Sequence, residues 1–181
     1  MKQQIRIIGG RFRGKKLDFP DVAGLRPTSD RVRETLFNWL MHEVRDKRCL
    51  DAFAGSGALG FEACSRGAGH VTFLEQFPKV FHHLKKTLPA FDCKNLEVIH
   101  TDAIHYLQTN DSQFDIVFLD PPFASDCLHE CMEILAMRAI LVKGGLVYTE
   151  SPVLFTPDTQ KWRVIKSRQA GNVFYALFEK I

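Results

Sequence analysis

Long apolar runs are missing from this chain of 181 residues; none approaches the roughly 20 residues of a membrane-spanning helix. The opening stretch Met1-Lys2-Gln3-Gln4-Ile5-Arg6 has no apolar segment of the secretory kind. Cysteine is sparse: five residues, scattered, with only Cys127 and Cys131 closely spaced. With no second pair to complete a metal-binding set, they read as free core thiols rather than a zinc site or a disulfide framework. The seven histidines form no ligand pattern either, and adjacent His82 and His83 would point about 100° apart on a helix. Internal repeats and low-complexity segments are lacking as well. These absences point away from membrane proteins, secreted disulfide scaffolds and metal centres. A soluble, cytoplasmic, monomeric protein is expected, with the ordinary hydrophobic (45%) and charged (25%) content of one globular unit.

Net charge is small, +3, but unevenly placed. Residues 1–48 hold 12 Lys and Arg against 6 Asp and Glu, whereas residues 49–181 hold 12 against 15. A basic front on an acidic body suits an anionic partner docking at the N-terminal end. Arg6, Arg11, Arg13, Lys15 and Arg26 are candidates for phosphate contact. Arg31 joins them unless it pairs, as Arg33 can, with Asp30 or Glu34 on its own helix.

Residues 5–19 read as a short hairpin, broken by Gly9-Gly10 and Gly14. A basic arm over residues 1–25 and a larger domain over 26–181 are expected. A helix begins near Thr28-Ser29-Asp30, whose side chains can cap free N–H groups, and shows Val32, Leu36, Trp39 and Leu40 on one face, with Arg31 and Arg33 on others. From Cys49 the pattern alternates. Strands Cys49–Phe53, His70–Glu75, Leu96–His100 and Phe114–Leu119 are each followed by a helix. These helices start near Ala58, Pro78, Ala103 and Cys127. After Gly144-Gly145 comes strand Leu146–Thr149, then Trp162–Lys166 and Val173–Phe178 joined by a Gly171-Asn172 turn. The fold class is therefore α/β, with a doubly wound, mostly parallel sheet and an antiparallel strand.

Between the first strand and its helix, Gly55, Gly57 and Gly60 spell G-x-G-x-x-G, and Glu75 ends the next strand 20 residues after Gly55. This spacing satisfies the dinucleotide fingerprint, in which an acid grips a ribose, and so admits a nicotinamide-dependent oxidoreductase. An adenosyl sulfonium cofactor also carries a ribose, but no pyrophosphate. Asp51 and Phe53 lie just before the first glycine, where an acid repels pyrophosphate and suits a cationic methionine end. Asp102, followed by Ala103, ends the third strand, where an acid can accept from an adenine amine. Both features favour S-adenosylmethionine, with Glu75 and its neighbour Gln76 at the ribose.

Asp120-Pro121-Pro122-Phe123 follows the apolar run Ile116–Leu119. The carboxylate can accept a hydrogen bond from an amine, as can the Pro121 carbonyl. The prolines fix the backbone and bring no competing N–H. The ring offers a face for stacking, worth on the order of 1–3 kcal/mol against a base. Beside a methyl donor, this set suits methylation of a base amine.

With these residues in hand, the chain resembles class I adenosylmethionine-dependent methyltransferases, and among them the bacterial 16S ribosomal RNA guanine-N2 methyltransferase D family. The resemblance runs over nearly the whole chain. It is carried by Ile5–Gly10, Leu25-Arg26-Pro27-Thr28, Asp30–Leu40, Phe53–Gly60 and Asp120–Phe123. It implies a seven-stranded sheet, adenosylmethionine as donor and the small ribosomal subunit as partner. It also implies transfer to the N2 amine of one guanine, position 966 of the 16S rRNA. Tetrads like Asp120–Phe123 also serve adenine-N6 and protein-glutamine methyltransferases, so a base amine of another RNA or DNA is the nearest alternative. A non-catalytic ribosome-binding module on the same fold is a further one.

Overall fold

The computed structural model describes residues 3–22, 27–93, 95–122 and 126–181. Two strands, β1 (Gln3–Arg6) and β2 (Lys16–Phe19), pair antiparallel as a small separate sheet. Helix α1 spans Asp30–Trp39. There follow β3 (Arg48–Asp51), α2 (Ala58–Ser65), β4 (His70–Glu75), α3 (Pro78–Thr87) and, after a 3-10 turn at Leu88–Phe91, β5 (Leu96–His100). Then come α4 (Ala103–Thr109), β6 (Phe114–Leu119), α5 (Cys127–Met137), β7 (Leu141–Ser151), β8 (Trp162–Ala170) and β9 (Val173–Lys180). No helix among the described residues is long and apolar enough to cross a membrane.

The main sheet has seven strands in the order β5-β4-β3-β6-β7-β9-β8. Pairings are parallel from β5 to β7, and β9 lies antiparallel between β7 and β8. Chain direction across the sheet reverses between β3 and β6, which is where ligands bind in doubly wound folds, at the C-terminal strand ends.

Each face of the sheet has its own core. One gathers Leu36 and Phe37 of α1, Phe61 of α2, Val80 and Leu84 of α3, and Ile5, Ile7, Leu17 and Phe19 around the hairpin. The other gathers Leu107 of α4 and Met132 and Leu135 of α5 beneath Val117 and Val147. The hairpin therefore closes over the sheet with α1 and shares its hydrophobic cluster.

Three expectations need correction. Phe53 lies beyond β3, which ends at Asp51, because the chain must turn there into the glycine loop. Strand β7 starts at Leu141, not Leu146; Gly144 and Gly145 form a bulge inside it, and the register against β6 jumps from Phe114↔Leu141 to Ile116↔Leu146. Arg33, off the apolar stripe of α1, is nevertheless fully buried, since acceptors around it receive its charge. One is the Thr28 carbonyl, which accepts from Arg33 Nε at 3.3 Å. The guanidinium also donates to Asp30 Oδ1 at 2.6 Å and to the Arg6 carbonyl at 3.0 Å, and lies 3.5 Å from the buried Glu62 of α2.

Candidate active site

The glycine turn between β3 and α2 is built for close approach. Gly57 caps α2 with a left-handed φ of 76°, and a Cβ there would come within 2.5 Å of the Phe61 ring. Gly60 sits against β4, where a Cβ would come within 2.2 Å of Phe73. Gly55 reaches across to the next strand: its N–H donates to Glu75 Oε2 at 3.1 Å, while Glu75 Oε1 accepts from Phe77 N–H at 2.7 Å. Two backbone donors thus hold the carboxylate at the mouth of the loop, with Gln76 exposed beside it. Burial raises the Glu75 carboxyl, and these N–H groups oppose the shift.

Asp51, at the tip of β3, is buried and accepts the Gly60 N–H at 2.9 Å through Oδ2. Burial pushes it up to about 7; the Gly60 bond opposes this and the nearby Glu75 charge adds to it. Such an acid takes a positive ligand readily and a phosphate poorly. Phe53 is partly buried in the same turn. Asp102 caps α4, its Oδ1 accepting from His105 N–H at 2.9 Å. Ala103, buried at the first helical position, carries one of the N–H groups that a helix leaves without an internal partner.

Asp120 sits at the tip of β6, beside β3. The two strands run parallel with Asp51 opposite Phe118, and Ala52 N–H donates to the Phe118 carbonyl at 3.1 Å. The sheet's reversal point therefore brings Asp51, the glycine turn and Asp120 to one edge. Pro121 is buried and Pro122 exposed; Phe123 lies outside the described residues, as does Arg26. Asp120 Oδ2 is 3.2 Å from Thr28 Oγ1, and that oxygen is 2.7 Å from Glu150 Oε1. Tyr148 O–H donates to the same Glu150 oxygen at 2.9 Å. Burial, then the Glu150 charge, raise the Asp120 carboxyl well above the usual carboxylate range; Thr28 opposes the shift and Asp51 adds a little.

Thr28, Tyr148 and Glu150 were not singled out by sequence. Thr28 resembles a helix cap, but Ser29 does the capping, accepting from Val32 N–H at 3.4 Å. A signal existed at Glu150: a lone acid closing an apolar strand. Leu119 pairs with Thr149, so the next residues, Asp120 and Glu150, are neighbours at the sheet edge.

The basic candidates divide into two groups. Arg11 pairs with Asp92 at 3.3 Å, and Lys15 donates to the Ala90 carbonyl with its ammonium 5.2 Å from the Phe91 ring centre. Arg6, Arg13 and Arg31 instead line a groove of about 390 Å³ between the hairpin and α1, with Asp30 and Glu34 on its rim. No cluster of potential metal ligands occurs among the described residues.

The family model "Conserved hypothetical protein 95" matches residues 5–179. Ribosomal RNA small subunit methyltransferase D of Escherichia coli K12 is 44% identical over 179 residues, 98% of this chain and 90% of the relative. The protein of the same name from Haemophilus influenzae is 43% identical over 185 residues, covering 98% and 95%. The solved structure of yhhF from Escherichia coli superposes with a TM-score of 0.91 at 43% identity, covering 98% of both chains.

Proposed function

The chain belongs to the conserved hypothetical protein 95 family, with the small-subunit ribosomal RNA methyltransferases D among its relatives, and we propose that it methylates the N2 amine of a guanine in 16S rRNA. The donor is S-adenosylmethionine, and the substrate is the small ribosomal subunit, met in the cytoplasm by a monomeric enzyme. The observation that carries this reading is the meeting of Asp120 with Asp51 and the Gly55–Gly57 turn at the sheet's reversal point. A buried acid beside the glycines favours a cationic ligand over pyrophosphate, so the oxidoreductase alternative loses its footing.

The residues present fit the donor. Glu75 takes the ribose hydroxyls with Gln76 at its side, Asp102 and the Ala103 N–H take the adenine edge, and Asp51 with Phe53 sets the methionine end. Bound there, the donor supplies an activated methyl group, so the protein's task is positioning and electrostatics. Asp120 and the Pro121 carbonyl accept from the amine, orient its lone pair and relieve its growing positive charge. Pro122 fixes the approach, and Phe123 stacks on the base. The guanine has to leave its own stack to reach the pocket. Residues 1–25 serve as a docking arm whose Arg6 and Arg13, with Arg31 of α1, meet phosphates, while Arg11 and Lys15, already partnered, contribute less and Arg26 is a further candidate; residues 26–181 carry the chemistry.

Incubation with labelled adenosylmethionine and unmodified small subunits, followed by identification of the labelled nucleotide, tests the reading. A single labelled guanine carrying N2-methyl is expected. Asp120→Ala should abolish transfer and leave adenosylmethionine binding intact. Undiminished transfer by that variant, or label on another base, would overturn the assignment.

A further inference from the structure

Asp120, Thr28 and Glu150 form a continuous chain of oxygens that leads away from the reacting edge into the protein. Thr28 Oγ1 lies 3.2 Å from Asp120 Oδ2 and 2.7 Å from Glu150 Oε1. A hydroxyl has one hydrogen, so it can donate to only one of these carboxyls at a time. The other contact is a hydrogen bond only if that carboxyl carries a proton and donates to the Thr28 oxygen. Tyr148 gives its own hydrogen to Glu150 at 2.9 Å, which leaves Thr28 as the link to Asp120. Thr28, Tyr148 and Glu150 are all buried, whereas Asp120 is only partly so. Among the described residues, the chain therefore opens toward ligand at Asp120. Thr28 is also held from behind, its carbonyl accepting from the buried Arg33 Nε at 3.3 Å.

Resting on the methyltransferase reading above, we propose that Thr28 and Glu150 act with Asp120 as a proton relay, Thr28 as shuttle and Glu150 as final acceptor. In methyl transfer the amine lone pair forms the new N–C bond while the C–S electrons stay with sulfur. The nitrogen, now positive, gives one proton to Asp120. Asp120 passes a proton to Thr28 Oγ1 as the Thr28 hydrogen moves to Glu150. Asp120 is again a carboxylate, and Glu150 holds the proton. One positive charge has been lost beside the relay and one proton gained within it, so the net charge of the buried edge does not change.

The surroundings agree with such an exchange. Asp51 on β3 lies near Asp120, Tyr148 shares β7 with Glu150, and Tyr175 of β9 pairs in register with Glu150. Burial raises both Asp120 and Glu150, and the Glu150 charge raises Asp120 further; with one Thr28 hydrogen between the two carboxyls, both contacts are hydrogen bonds when the pair shares a proton. A sulfonium bound beside the pair displaces that proton and readies the relay.

The test counts protons and turnovers separately. Adenosylmethionine and adenosylhomocysteine are titrated calorimetrically at pH 7 in two buffers of different ionisation enthalpy. Wild type should release more protons with the sulfonium ligand than with the thioether. Glu150→Gln, which keeps the shape and can still accept from Tyr148, should lower that excess; the part owed to Asp51 remains. Thr28→Val should lower kcat about 10- to 100-fold, with KM for small subunits and affinity for adenosylmethionine within about twofold, and Thr28→Ser should restore it. An unchanged proton count in Glu150→Gln, or wild-type kcat in Thr28→Val, would overturn the relay. A fall in Thr28→Val that Thr28→Ser does not repair would overturn it too. Failure of the enzyme reading looks different: wild-type protein then transfers no methyl to small subunits, and the relay falls with it.

Discussion

Arg33 donates to the main-chain carbonyl of Arg6 at 3.0 Å from a fully buried guanidinium, so α1 holds the hairpin by a charge that water cannot reach. Glu62, also fully buried, completes the tie. Its two oxygens accept from Ile8 N–H at 2.9 Å and Gly9 N–H at 2.8 Å, and Arg66 Nε donates to it at 2.8 Å. The arm that carries the basic residues is thus fastened to α1 and α2 by one shared carboxylate.

Removing that carboxylate strands the Ile8 and Gly9 N–H groups and takes the carboxylate from Arg66, while Arg33 loses one of its acceptors. Glu62→Ala should cost about 3–5 kcal/mol of stability, the range for breaking a buried ion pair. Arg33→Met, a substitution of similar length, should cost less, because Glu62 keeps Arg66 and both N–H groups. Urea denaturation of the three proteins checks the ordering. A larger loss from Arg33→Met would mean that Arg33, not Glu62, is the node of the tie.

A pH prediction follows from Asp51. Burial lifts its carboxyl from the usual 3.8 to about 7, so between these values the folded protein holds a proton that the unfolded chain has released. The contribution to stability is therefore complete below the unfolded value and is lost as pH rises through about 7. Asp51→Asn, which can still accept from Gly60, removes this dependence. Without ligand, the stability of the variant relative to wild type should shift in its favour by roughly 2–4 kcal/mol between pH 4 and pH 8. Urea titrations at the two pH values measure it. A constant difference would mean that Asp51 is already ionised at pH 4.

Much of the scaffold was readable from local pattern. Helix α2 runs over Ala58–Ser65, and β4, β5 and β6 match their apolar runs, because glycines, Pro78 and capping acids mark the ends. The Gly144 bulge escaped because a Gly-Gly pair usually marks a turn, yet here β7 continues through it along β6. Asp51, Glu75 and Asp120 were legible since strand ends in this fold class converge. Thr28 and Arg33 were not, because their partners lie far off in sequence: Glu150 is 122 residues from Thr28. Periodicity set Arg33 off the apolar stripe and its spacing allowed the pairing with Asp30, but not its burial, which Glu62 and the Arg6 carbonyl make possible.

The division of the basic side chains predicts where phosphate should bind. Arg6, Arg13 and Arg31 face one open groove, whereas Arg11 and Lys15 already have partners in Asp92 and the Ala90 carbonyl. Each phosphate contact contributes about 0.7 to 0.9 to the slope of log affinity against log salt. Replacing Arg6, Arg13 and Arg31 together by Ala should flatten that slope by about 2 for small-subunit RNA, and replacing Arg11 and Lys15 by less than about 1. Affinity measured across a salt series with wild type and both variants separates the two. A larger flattening from the Arg11 and Lys15 pair would move the RNA path to the Phe91 side of the hairpin.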